Sequence, residues 1–131
     1  MKYIKPYLIF NIMVWLPWGL ICIFDTTYIE DIIGVTSVNA TGNTDLRAMY
    51  GGVQFAVGSM AVSALYNQRH FRSFVYALAF LGCGLALSRS YGLLIDDSGT
   101  PYTWGVLGFE IFAGVSGVLW LKFLSGQPDD T

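Results

Sequence analysis

Two ionisable residues stand inside otherwise apolar runs of this sequence: Arg89 within Ser73–Ile95, and Glu110 within Tyr102–Leu124. A short turn, Asp96-Asp97-Ser98-Gly99-Thr100-Pro101, joins the two runs. If both runs are helices rising about 1.5 Å per residue, both charges lie roughly 10–13 Å from the same membrane face. A charge in hydrocarbon costs on the order of 2.5–3.5 kcal/mol on insertion scales, so each is expected to face a partner or a wet cavity. Gln54, in the earlier run Ala48–Tyr66, falls at the same depth, with Arg47, Tyr50, Tyr91, Asp25 and Asp96 nearer the mouth. Three chemistries fit these residue types. The first is an Arg89–Glu110 ion pair, bridged by Gln54, that fixes helix register. In the second, two arginines face one deep carboxylate in a small outward-facing cavity, leaving a positive excess suited to a lipid phosphate, a carboxylate or a quinone oxygen. The third is a docking surface for another membrane subunit.

Signs of catalysis are few. Glu110 could act as general acid or base on a lipid only if its pairing with Arg89 were broken. The single histidine, His70, sits beside Arg69 in a short polar loop and reads as solvated. No Cys/His spacing suits a metal and no histidine pair suits haem, so neither a metal nor a cofactor is expected. Gly51-Gly52 lacks the Lys and Ser/Thr of a phosphate loop, and no serine stands in a nucleophile motif. Cys22 and Cys83 fall at different depths of different runs, so no disulfide is expected between them. An enzyme is therefore the less favoured reading.

The elements that must carry these residues follow from composition. Of 131 residues, 54% are hydrophobic and 12% charged, against about 25% charged in soluble domains. A soluble chain of this length cannot bury so much apolar surface, so the excess should face lipid. Four runs are long enough to span about 30 Å of hydrocarbon: Tyr7–Phe24, Ala48–Tyr66, Ser73–Ile95 and Tyr102–Leu124. The expected fold is all-α, a single four-transmembrane-helix bundle over residues 1–131. The first run carries no small-residue cleavage site and is interrupted by Asn11, Trp15, Pro17 and Trp18, so it reads as a retained helix bent at Pro17 rather than a signal.

Charge sets the orientation. Lys2, Lys5, Arg69, Arg72 and Lys122 fall at the N-terminus, the second loop and the end of the fourth run. Asp25, Glu30, Asp31, Asp45, Asp96 and Asp97 fall in the first and third loops. Lys and Arg stay on the cytoplasmic side, so both termini are expected inside and both acidic loops outside an inner membrane. With no basic stripe, nucleic acid is not an expected partner. The expected partners are membrane lipids, other membrane subunits or further copies of the chain.

Helical spacing then gathers polar and small residues on shared faces. Asn11, Trp15, Trp18, Cys22 and Asp25 share one in the first run. In the second, Arg47, Tyr50, Gly51, Gln54, Gly58 and Ala61 do so, with Gly52 beside Gly51. In the third they are Ala79, Gly82, Ala86 and Arg89, and in the fourth Glu110, Ala113, Gly114 and Gly117. Small residues let helix backbones approach closely, so Gly51, Gly52, Gly58, Gly82, Gly114 and Gly117 are expected at helix–helix contacts. The first loop, Thr26–Leu46, is the longest connection. Its Ile29, Ile32, Ile33 and Val35 suggest that part of it lies on the helices, and Asp45 or a residue near Thr44 is the expected cap of the second helix.

The order Arg47-Ala48-Met49-Tyr50-Gly51-Gly52 with Gly58, then Gly82-x-Gly84-x-Ala86-Leu87-Ser88-Arg89, then Asp96-Asp97-x-Gly99-x-Pro101 and Glu110, resembles the domain of unknown function 4345 family. Those are small bacterial four-helix inner-membrane proteins. The resemblance covers about residues 8–124, and Ser88 departs from the glycine usual before the third-helix arginine. It implies Arg47, Tyr50, Gly51, Gly52, Arg89 and Glu110 as the positions that matter and brings no assigned reaction. On these grounds the chain is expected to be an accessory or structural subunit of a membrane complex. Amphiphile binding is the alternative, and a lipid-modifying enzyme the remaining one.

Overall fold

The computed structural model describes residues 3–126, so Lys2 of the charge argument lies outside the described residues. The fold is all-α, with no strand among the described residues. Four helical stretches are long and apolar enough to cross a membrane: Ile4–Phe24, Ala40–Tyr66, Gln68–Ile95 and Pro101–Ser125. They belong to two compact units, Met1–Phe71 and Arg72–Thr131.

The N-terminal unit begins with α1 (Ile4–Phe24), which runs unbroken through Pro17. Pro17 has no N–H to give the Met13 carbonyl. Its buried residues, Ile4, Leu8, Asn11, Trp15, Gly19 and Cys22, recur at helical spacing. Asn11 is the polar member, and a buried amide is costly unless bonded. Its Nδ2 donates to the Tyr7 carbonyl at 2.9 Å, and its Oδ1 accepts from Trp15 Nε1 at 3.2 Å. The helix thus satisfies its own buried amide.

Most of the segment expected as a loop is helical: α2 (Thr27–Ile33) and α3 (Ala40–Leu46) occupy it. Local chemistry explains this. Asp25 Oδ1 accepts from the Thr27 amide at 3.0 Å and its hydroxyl at 2.7 Å, shaping the entry to α2. Gly34 ends α2 in the left-handed region at φ 80°, where a side chain would be strained. Asn39, not Asp45 or Thr44, caps the second long helix, its Oδ1 accepting from the Gly42 amide at 2.9 Å. Thr26 Oγ1 bonds Asn43 Oδ1 at 2.7 Å and ties α2 to α3. Ile29 is fully buried and anchors the segment, whereas Ile32 is exposed.

After α3 the helix widens into a π segment (Arg47–Gly52) and continues as α4 (Val53–Tyr66). Glycines seat α1 against this continuous helix. A Cβ on Gly19 would lie 2.4 Å from the Phe55 nitrogen, and one on Gly58 would lie 2.8 Å from the Leu16 nitrogen. One on Gly51 would lie 2.8 Å from the Ile23 nitrogen. Across these three pairs one residue number falls by as much as the other rises, so the helices are antiparallel in constant register. A 3-10 turn (Gln68–His70) closes the unit, and the Tyr7 and Phe71 rings meet edge to face at 6.3 Å.

The C-terminal unit is a helical hairpin of α5 (Phe71–Ile95) and α6 (Pro101–Ser125). Asp97, at φ 48°, takes the left-handed step of the turn, which Asp tolerates better than most residues. Thr100 caps α6 by accepting from the Thr103 amide at 3.2 Å, and Pro101 occupies the first turn, where a missing N–H costs nothing. A Cβ on Gly82 would lie 2.4 Å from the Gly114 nitrogen, and one on Gly117 would lie 2.8 Å from the Ala79 nitrogen. Here too the backbones touch through glycine.

Candidate functional site

Within the hairpin, α5 and α6 bring Arg89 and Glu110 together. Nε of Arg89 donates to Glu110 Oε2 at 2.9 Å, and Nη2 donates to Oε1 at 2.7 Å. The hairpin register explains the reach. The Gly82/Gly114 and Ala79/Gly117 contacts set Arg89 level with Leu107, about one turn from Glu110 along the axis. Helical side chains lean toward their own N-termini, and in an antiparallel pair that turns these two toward each other. A planar guanidinium matches a carboxylate with two parallel bonds. The Glu110 side chain is 4% exposed and that of Arg89 29%, so the carboxylate is enclosed and the arginine half-buried.

Arg47 is satisfied differently. Its Nη1 donates to the main-chain carbonyl of Ile23, in the last turn of α1. Such carbonyls have no partner within their own helix, and the negative end of the helix dipole also favours a cation there. Gly51 meets the same residue, since a Cβ at Gly51 would lie 2.6 Å from Ile23 Cγ1. The π segment, whose signature is the Val53 amide donating to Ala48 O, covers Arg47–Gly52, so the R-x-x-Y-G-G pattern and the π segment are the same six residues. Single π turns inside α-helices recur at functional positions. In this one, the arginine and a glycine grip one point on α1.

Tyr50 and Gln54 are half-buried on the same stretch of the N-terminal unit, while Arg89 and Glu110 belong to the C-terminal unit. Gly51, Gly58, Gly82, Gly114 and Gly117 all make close backbone approaches. Gly52 does not: a Cβ there would meet only the Arg47 carbonyl, at 3.9 Å, since one residue on from Gly51 it stands about 100° round the helix from that contact.

Other polar contacts carried no usable sequence signal. His70 is exposed, yet its Nδ1 lies 2.7 Å from Ser63 Oγ. Gly19 makes as close an approach as any predicted glycine, and its position four residues after Trp15 on the buried face was the available clue. Asp25 lies just beyond α1, and the two hydrogen bonds from Thr27 hold its carboxyl below the ordinary carboxylate range, with the nearby Arg47 charge adding to the effect. Cys22 and Cys83 are both free thiols. No cluster of three or more His, Cys, Asp or Glu side chains suited to a metal occurs among the described residues.

The family described as Domain of unknown function (DUF4345) matches residues 4–121. No curated protein and no solved structure matches the chain.

Proposed function

The chain belongs to the DUF4345 family, and from that premise we propose that it is a non-catalytic accessory subunit of a bacterial inner-membrane complex, crossing the membrane four times with both termini in the cytoplasm. The observation that carries this reading is the bidentate pairing of Arg89 with Glu110. The deep carboxylate has both oxygens occupied by a neighbouring helix, which suits a clasp that fixes the hairpin. Acid–base catalysis would first have to undo that pair. With the charges paired, large apolar side chains such as Phe80, Leu87, Ile111, Phe112 and Leu119 remain exposed on α5 and α6. Such surfaces suit lipid tails or neighbouring helices. The orientation rests on the acidic residues Asp25, Glu30, Asp31, Asp96 and Asp97 lying between spans opposite Lys5, Arg69 and Lys122. Native mass spectrometry after gentle detergent extraction tests the proposal. A stoichiometric complex with another membrane protein is the expected result, and a chain that always isolates alone overturns it.

One observation favours a second reading, an amphiphile binder. The Arg89 side chain is 29% exposed, and a partly exposed guanidinium suits the oxygen of an anionic or carbonyl headgroup. Lipid profiles of the wild-type protein, Arg89→Ala and Glu110→Gln decide this, and identical profiles in all three remove it.

A further inference from the structure

We propose that the end of the N-terminal unit formed by the start of α1 and the end of α4 is a binding surface for anionic phospholipid headgroups. The proposal rests on the membrane-spanning reading and adds a ligand class to it. The register fixed by the pairs Leu16/Gly58, Gly19/Phe55 and Ile23/Gly51 sets Leu8 level with Tyr66, the last residue of α4. Lys5, in the first turn of α1, and Arg69, in the 3-10 turn after α4, therefore lie at the same end of the unit. The Tyr7–Phe71 ring contact at 6.3 Å shows that the two chain segments do meet at this end. Lys5, Arg69 and His70 are all exposed there. The acidic residues of the described part of this unit, Asp25, Glu30, Asp31 and Asp45, lie around the opposite end of α1, so none faces the two cations. Arg47, the remaining described cation of this unit, is held at that opposite end by the Ile23 carbonyl.

Two further features set the height of this surface. Tyr3 and Tyr66 flank it and are 74% and 88% exposed. Tyrosines with an apolar ring and a polar tip settle at headgroup level, which brings Lys5 and Arg69 to the plane of the lipid phosphates. A tethered cation there attracts phosphatidylglycerol or a similar anionic lipid over a zwitterionic one. A soluble polyanion would not account for the tyrosine flanks.

The experiment uses the full chain, purified in detergent and titrated with dioleoylphosphatidylglycerol or dioleoylphosphatidylcholine while native mass spectrometry counts the adducts. The wild-type chain should retain the anionic lipid preferentially, and Lys5→Gln and Arg69→Gln should each weaken that preference about fivefold. Lys5→Arg and Arg69→Lys should preserve it, and circular dichroism should show unchanged helix content throughout. Equal retention of the two lipids, or a preference that survives the Lys5→Gln/Arg69→Gln double substitution, overturns the proposal. Adducts of equal strength with inorganic phosphate alone would make this a site for free anions and overturn it too. A chain that fails to float with liposomes of either lipid counts instead against the membrane-spanning reading.

Discussion

The two helix pairs of this protein use the same seam and different fastenings. In each, glycine lets one backbone rest on the other: Gly19 on Phe55 in the N-terminal unit, and Gly82 on Gly114 in the hairpin. Each then adds an arginine across the pair. Arg47 reaches a main-chain carbonyl near the end of α1, whereas Arg89, six residues before the end of α5, reaches the Glu110 carboxylate on α6. Position along the facing helix accounts for the difference. Arg47 lies beside the last turn of α1, whose free carbonyls and negative dipole end suit a cation, so a neutral acceptor is enough. Arg89 faces the interior of α6, where main-chain carbonyls are already bonded, so a carboxylate is the fitting partner.

The comparison is broken most forcefully at the deep pair. Arg89→Met leaves Glu110 enclosed and alone, and should destabilise the protein by about 3–5 kcal/mol. Glu110→Gln should cost less, about 2 kcal/mol, because Arg89 is partly exposed and can turn toward water or headgroups. The double variant Arg89→Met/Glu110→Met should return to within about 1 kcal/mol of wild type, since a matched apolar pair often replaces a buried ion pair without loss. Unfolding in mixed micelles by SDS titration measures all three. A double variant as unstable as Arg89→Met would show that the charges do more than offset each other.

Next come the seams, which the comparison treats as equivalent. Gly82→Ala and Gly19→Ala each press a methyl against backbone that cannot yield, and should cost about 1–3 kcal/mol by overpacking. Gly84→Ala and Gly105→Ala, with no atom within 4 Å of the new methyl, should instead stabilise by up to about 1 kcal/mol through helix propensity. The opposite signs, read in one SDS titration series, separate glycines that form the seam from those that do not. Equal effects at Gly82 and Gly84 would contradict the close approach seen here.

Much of this could be read in the sequence because lipid imposes strong rules. Apolar runs with few charges could become little other than spanning helices. The alignment of Arg89 with Gly82 and Ala86, and of Glu110 with Gly114 and Gly117, pointed both charges at the same seam. What escaped were interactions with the main chain. The acceptor for Arg47 is the Ile23 carbonyl, and every residue has such a carbonyl, so no residue type announces it. The π segment is equally silent, since Arg47–Gly52 would be read as ordinary helix by spacing alone. Gly52, next to Gly51 in the pattern, stands round the helix from the α1 contact that Gly51 makes. The cap at Asn39 was missed because Asn43, Asp45 and Arg47 make the first turns of that helix look like loop, although its polar side chains only need to reach water.

The shallow fastening gives smaller effects. Arg47→Ala removes one charge-assisted bond at a half-buried position and should cost about 1 kcal/mol. The loss should be local, so hydrogen exchange at Phe24, Asp25 and the π segment should quicken while the α5–α6 hairpin is unchanged. Uniform quickening across both units would mean that the two fastenings are not independent.

The mildest test uses Asp25, whose carboxyl is held below its ordinary value of 3.8 by the two Thr27 hydrogen bonds and, to a lesser degree, by the Arg47 charge. Because the folded value lies below the unfolded one, the carboxylate's contribution is fully present above about pH 4. It is lost as the pH falls through the folded value, when the proton displaces the bonds from Thr27. Wild-type Tm should therefore fall more steeply below pH 4 than that of Asp25→Asn, whose amide oxygen still accepts from Thr27 but does not titrate. Arg47→Ala should lie between them, removing only the lesser contribution and leaving most of the pH dependence in place. If Arg47→Ala instead abolishes the pH dependence, the charge and not Thr27 holds Asp25. The shallow arginine would then act as an ion-pair partner after all, and the contrast with Arg89 would reduce to one of distance.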